Sequence, residues 1–142
     1  MREIKFRGYL KTEKKMLPVC DLNFNGVDQY AVGLSTCGRL DCGLCEDYYE
    51  SIDVEVMQYT GLKDKNGVEI YEGDVLSYCI EEYPGGHYRE RQETRVVAFS
   101  DGCYWLISDK GDDALFFVHE VDCEIEIIGN IHDNPELLGV AE

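Results

Sequence analysis

The residues best placed to do chemistry in this 142-residue chain are thiols. Of its seven cysteines, Cys37, Cys42 and Cys45 are spaced C-x4-C-x2-C. That spacing matches three ligands of a plant-type iron–sulfur cluster. Cys79 lies far enough downstream to be a fourth ligand, and Cys20 is an alternative for zinc. Gly38 and Gly43 let the backbone bend around an ion. Two features weigh against a metal. The chain has no second close Cys or His pair, and reduced cysteines also serve as small hydrophobic side chains. Metal binding through Cys37, Cys42 and Cys45, with zinc or an iron–sulfur cluster, is therefore the alternative reading. No other cofactor is expected.

Other constellations fail on inspection. Asp64 to Glu69 glances at a calcium loop, but Glu69 occupies the sixth position where that loop needs glycine. A turn at Asn66-Gly67 explains the stretch better. His87, His119 and His132 share no metal or protease spacing, and no serine or cysteine nucleophile is tied to them by a motif. Glu69, Glu72 and Asp74 bracket Ile70-Tyr71, which suits acid–base work or a divalent ion; a strand edge and a turn at Gly73-Asp74 explain them more simply. There is no P-loop and no G-x-G-x-x-G. The chain is read as a non-enzyme, with no catalytic residues assigned.

Charge narrows the class of partner. There are 29 Asp+Glu against 13 Lys+Arg, a formal net charge of −16. Such a surface repels phosphate backbones, so direct nucleic-acid binding is not expected. An acidic nucleic-acid mimic offering carboxylates to a basic groove is a further alternative. No apolar run approaches the ~20 residues needed to span a bilayer. The stretch Met1–Arg7 contains no apolar core of a secretory signal, which predicts a cytoplasmic location and reduced thiols.

The elements that must position these groups are short strands. Ile4 and Phe6 alternate with Glu3, Lys5 and Arg7. Ile52, Val54 and Val56 point one way, Asp53 and Glu55 the other. Val75–Ile80, Thr94–Phe99, Cys103–Ser108 and Leu115–Val118 read as further strands. Cys123, Ile125 and Ile127 alternate with Glu124 and Glu126. Turns punctuate them at Asn25-Gly26, Asn66-Gly67, Pro84-Gly85-Gly86, Asp101-Gly102 and Lys110-Gly111-Asp112. The only helix predicted is about one turn at the tail, with Asn134 as N-cap, Pro135 at the first position and Gly139 after it. The rhythm predicts a mainly β protein, a small barrel or sandwich. Residues 1–53 form a β-rich N-terminal segment carrying the Cys/Gly loop, and residues 54–142 form the second part.

The stretch from Gln58 to Asp74, QYTGLKDKNGVEIYEGD, resembles the signature of the YopX family of phage and prophage proteins. Arg2–Arg7, Lys14–Met16 and Ile128–Leu138 resemble the family's opening strands and its closing strand and tail. The family usually carries Trp after the arginine of the opening strand, where this chain has Gly8-Tyr9. The resemblance implies an SH3-like β-barrel for residues 54–142 with the N-terminal segment packed on it. It implies no enzyme activity. The expectation is a non-enzymatic interaction module of phage or prophage origin, acting on a host or phage protein. The loop Glu81–Arg91 and the Tyr-rich faces are its candidate surface. The oligomeric state is left open.

Overall fold

The computed structural model describes residues 3–23, 31–109, 111–120 and 124–138. It divides into two units, Met1–Tyr59 and Thr60–Glu142. The expected boundary at 53/54 lies at the start of strand β5 (Val54–Lys63), and the observed one lies inside that strand. Both units are built of antiparallel strands. Asn25-Gly26, Lys110, Cys123 and Gly139 lie outside the described residues.

In the first unit, β1 (Phe6–Leu10), β2 (Lys15–Leu22), β3 (Val32–Ser35), β4 (Glu46–Tyr49) and the start of β5 pair in the order β4-β3-β2-β1-β5. Leu10, Val32, Leu34 and Val54 are buried together as its core. Gly8 lies opposite Leu17 and Val56 in the ladder. A Cβ there would sit 2.7 Å from Val54 Cγ1 and 2.9 Å from Leu34 Cδ2. Glycine at this position leaves the space to the Val54 and Leu34 side chains. The opening strand begins later than expected, at Phe6, and Ile4 is exposed. Ile52 is also exposed, in a 3-10 turn over Ser51–Asp53, so it does not share the face of Val54.

In the second unit, the end of β5 pairs with β6 (Glu69–Tyr71). The Asn66-Gly67 turn is present, with Gly67 at φ 80°. Asp64 shapes it: its carboxylate accepts the amides of Asn66, Val68 and Ile127 at 2.9, 2.9 and 3.1 Å. This hydrogen bonding to backbone amides supports the turn, not the calcium loop. A five-stranded sheet follows, in the order β10-β9-β8-β7-β11, from β7 (Asp74–Glu82), β8 (Arg89–Ser100), β9 (Cys103–Ser108), β10 (Gly111–Ala114) and β11 (Glu126–Asn130). Asp101-Gly102 joins β8 to β9 with both residues at positive φ, 51° and 84°, as a tight hairpin requires. The core is Ile70, Leu76, Tyr78, Val97, Leu106, Leu115, Val118 and Ile125.

Leu115–Val118 is not a strand. It opens the helix α1 (Leu115–Glu120). Leu115 and Val118 are buried while Phe116 and Phe117 are exposed, so the burial has the i, i+3 period of a helix. Four consecutive apolar residues hid that period. The tail forms a 3-10 turn at Pro135–Leu138. Asn134 Oδ1 accepts the Asn130 amide (3.3 Å), so its side chain braces the chain before the turn.

Candidate functional site

The thiol loop occupies residues 36–45 of the first unit, between β3 and β4. Pairing of Ser35 with Glu46 closes its base. The Thr36 amide and hydroxyl both donate to the Cys45 carbonyl, at 2.7 and 3.1 Å. Gly38 and Gly43, each directly after a cysteine, take φ 84° and 72°. Positive φ turns the chain sharply, which L side chains resist. The loop thereby brings the Cys37, Cys42 and Cys45 sulfurs within 4.8 Å of one another. Cys42 and Cys45 Sγ are 3.6 Å apart. The spacing read from sequence is therefore a cluster in space.

Protonation in the cluster is uneven. The Ser35 hydroxyl lies 2.7 Å from the Arg39 carbonyl and 3.6 Å from Cys37 Sγ. It has one proton. Given to Arg39, it leaves Oγ to accept from the thiol; turned to Cys37, it stabilises the thiolate. With the Ser35 hydroxyl as the chief cause and the Arg39 backbone next, the Cys37 thiol is lowered to about 7. The Cys45 thiol is pushed up to about 11, first by its hydrogen bond with Cys42 and then by Cys37. One negative sulfur opposes a second.

A cavity of about 250 Å³ borders the loop, with Cys20, Ser35, Arg39, Cys45 and Glu46 in its wall. Glu46 accepts from the Cys20 thiol and, at 2.9 Å, from the Tyr48 hydroxyl. These donors hold its carboxyl below the usual range, Cys20 first. The Cys20 thiol rises to about 12, through burial of the sulfur and then its bond to Glu46. Sequence reading placed Cys20 near a metal but missed Ser35 and Glu46. Both are the pairing partners that close the loop, and no motif marks them. Cys79 belongs to the second unit, where its thiol donates to Gln92 Oε1 at 3.4 Å.

The second unit carries a charged ladder whose outer end, Glu81–Arg91, the sequence reading treated as a loop. Residues 81–91 are largely the paired ends of β7 and β8, joined through a 3-10 turn at Pro84–Gly86. Arg91, Glu93 and Arg95 share the face of Val97, since side chains two apart point the same way. Arg91 Nη1 meets Glu93 at 2.7 Å, Arg95 Nε lies 3.6 Å from Glu93, and Arg95 Nη1 meets Asp113 at 2.8 Å. The Tyr78 hydroxyl donates to the same Asp113 oxygen at 3.4 Å, and burial raises its pKa. Glu82 binds Arg89 and Arg91 at the outer end. At the hairpin tip Tyr83 and Tyr88 make an edge-to-face pair with centroids 5.6 Å apart, both exposed. The Tyr88 hydroxyl donates to Glu81 and Glu90.

The remaining candidates lie apart in the second unit. Asp74 is buried and accepts the Tyr71 amide at 2.8 Å, while Glu69 accepts the Tyr71 hydroxyl. His119 Nε2 lies 3.0 Å from the Lys63 carbonyl. His87 is exposed after the hairpin turn, and His132 is half-buried.

Residues 5–139 match the model of the YopX family, described as YopX protein. The chain belongs to the YopX family. Among solved structures, this YopX chain is similar to one titled crystal structure of protein EF1440 from Enterococcus faecalis, with 28% identity and a TM-score of 0.65. The similarity covers 97% of this chain and 99% of that one. No curated protein matches it. No helix among the described residues is long and apolar enough to cross a membrane.

Proposed function

We propose that this YopX protein is a non-enzymatic interaction module of phage or prophage origin. It acts in the bacterial cytoplasm by docking on a basic face of a host or phage protein. The observation that carries this reading is the exposed Tyr83–Tyr88 pair at the tip of the β7–β8 hairpin. Tyrosine supplies amphipathic contact area at small entropic cost and is enriched in protein interfaces. The acidic Glu81 and Glu90 flank the pair. A net charge of −16 steers cationic partners toward the molecule. We read the second unit as an SH3-like barrel. Strands β7 to β10 run as a meander and β11 returns to pair with β7, which leaves β10 and β11 as the edges that closing a barrel would have to join.

The test is affinity capture from bacterial lysate with the full chain and with a Tyr83→Ala/Tyr88→Ala variant. A basic protein should be retained by the first and lost by the second, and it should be released as salt rises. Capture indifferent to both changes would overturn the proposal, as would turnover of a substrate by the purified chain. Release of the captured protein by added DNA would move the reading to an acidic nucleic-acid mimic.

A further inference from the structure

We propose that Cys37, Cys42 and Cys45 hold one zinc ion that staples the β3–β4 loop. Four thiolates around zinc, with Zn–S near 2.3 Å, place neighbouring sulfurs about 3.8 Å apart in a tetrahedron. The observed sulfurs lie within 4.8 Å of one another, and Cys42 and Cys45 are 3.6 Å apart. They converge on one point, which suits a single ion. An iron–sulfur cluster, with its thiolates divided among several irons, spreads them further.

A second, independent observation concerns the loop itself. Among the described residues, the core of the first unit contains none of residues 36–45, and Leu40 and Leu44 are exposed. This segment holds two positive-φ glycines, and both its leucines face solvent. A segment that buries so little needs another source of order, and a structural metal is one. The two Cys-Gly steps bend the chain so that sulfurs separated by several residues meet on one side.

Three thiolates leave one tetrahedral position. Cys20 and Glu46 lie outside the three-sulfur cluster but border a cavity that Cys45 also lines, which makes them the groups to test for that position. Cys20 sits where the β2–β3 register shifts, between Val19 and Asp21. A bulge re-aims the side chain it carries.

The experiment uses the full chain purified under reducing conditions without chelator. Metal content is measured by mass spectrometry, and cobalt(II) is then titrated into chelator-stripped protein. Zinc at one equivalent is the expected result. Cobalt should show the intense sulfur-to-metal charge-transfer absorption of thiolate ligation and the d–d bands of a tetrahedral ion. Cys37→Ser, Cys42→Ser and Cys45→Ser should each weaken cobalt binding by more than the ~10–100-fold that loss of an outer-shell partner costs. Cys79→Ser and Cys103→Ser should leave it unchanged. Loss of the charge-transfer intensity of one thiolate in Cys20→Ser identifies the fourth ligand; unchanged intensity assigns that position to Glu46 or water. Should the loop variants fail to fold, the wild-type stoichiometry and spectrum decide alone. Less than a tenth of an equivalent of metal with no cobalt spectrum overturns the proposal. So does iron with acid-labile sulfide, or a Cys42–Cys45 disulfide that persists under reduction.

Discussion

Replacement of Arg95 by Met tests the account of the charged ladder most sharply. The Arg95 and Glu93 side chains are 6% and 4% exposed, so both charges have left water. Breaking a buried pair by removing one partner costs about 3–5 kcal/mol, because the other charge stays desolvated. The Asp113 half of the network adds little: that carboxylate is 41% exposed and water screens it. Glu93 keeps Arg91 at 2.7 Å, so the expected loss lies at the low end, about 3 kcal/mol. The chain has one tryptophan, Trp105, on β9 of the second unit. Its fluorescence during urea unfolding therefore reports the unit that contains the mutation. For a unit of about 80 residues the loss corresponds to a fall in Tm of at least ~12 °C. The double replacement Glu93→Met/Arg95→Met should recover most of the stability, since well-packed apolar pairs replace buried ion pairs at little cost. A loss below about 1 kcal/mol for Arg95→Met would refute the reasoning, as would a double variant no more stable than the sum of its singles.

Three further outcomes follow from the same geometry. Gly8→Ala places a methyl inside van der Waals distance of Val54 and Leu34 and should destabilise the first unit by about 1–3 kcal/mol, read by thermal unfolding. Asp64→Ala strands three backbone amides. It should cost about 2–3 kcal/mol and speed amide exchange at Asn66, Val68 and Ile127. The Glu82 carboxyl is held below its ordinary 4.5, chiefly by the hydrogen bond from Arg89. A folded value below the unfolded one means its contribution is complete above about 4.5 and is lost as pH falls through the lowered value. Acid titration of stability should thus be shallower in Glu82→Gln than in the wild type, and equal slopes would remove the pair from the account.

Period-two alternation, short apolar runs and glycine-centred turns marked β1, β5, β7, β8, β9 and β11, and left β2, β3, β4, β6 and β10 unmarked. Asp101-Gly102 and Asn66-Gly67 chose their own geometry because the positive φ they need is cheap for these residues. The family signature from Gln58 to Asp74 was legible for the same reason: its glycines, turns and buried Ile70 answer to local rules. The C-x4-C-x2-C spacing named the cluster, since a ten-residue loop limits how far its own sulfurs can stray. Tertiary structure decided the rest. Leu115–Val118 became a helix because the core of the second unit offered places to Leu115 and Val118 and left Phe116 and Phe117 outside. Gly8 is explained only by the Val54 and Leu34 side chains that occupy its space. Arg91 read as the end of a loop and Arg95 as part of a strand, but only pairing with β7 set Arg91, Glu93 and Arg95 on one face, where the fold withdrew water from Glu93 and Arg95. Ser35, Glu46 and Cys20 gather at the thiol loop through pairing across β2, β3 and β4. A linear pattern records what a residue prefers near its neighbours in sequence. What surrounds it, and whether its charge keeps its water, is fixed by segments that arrive from elsewhere in the chain.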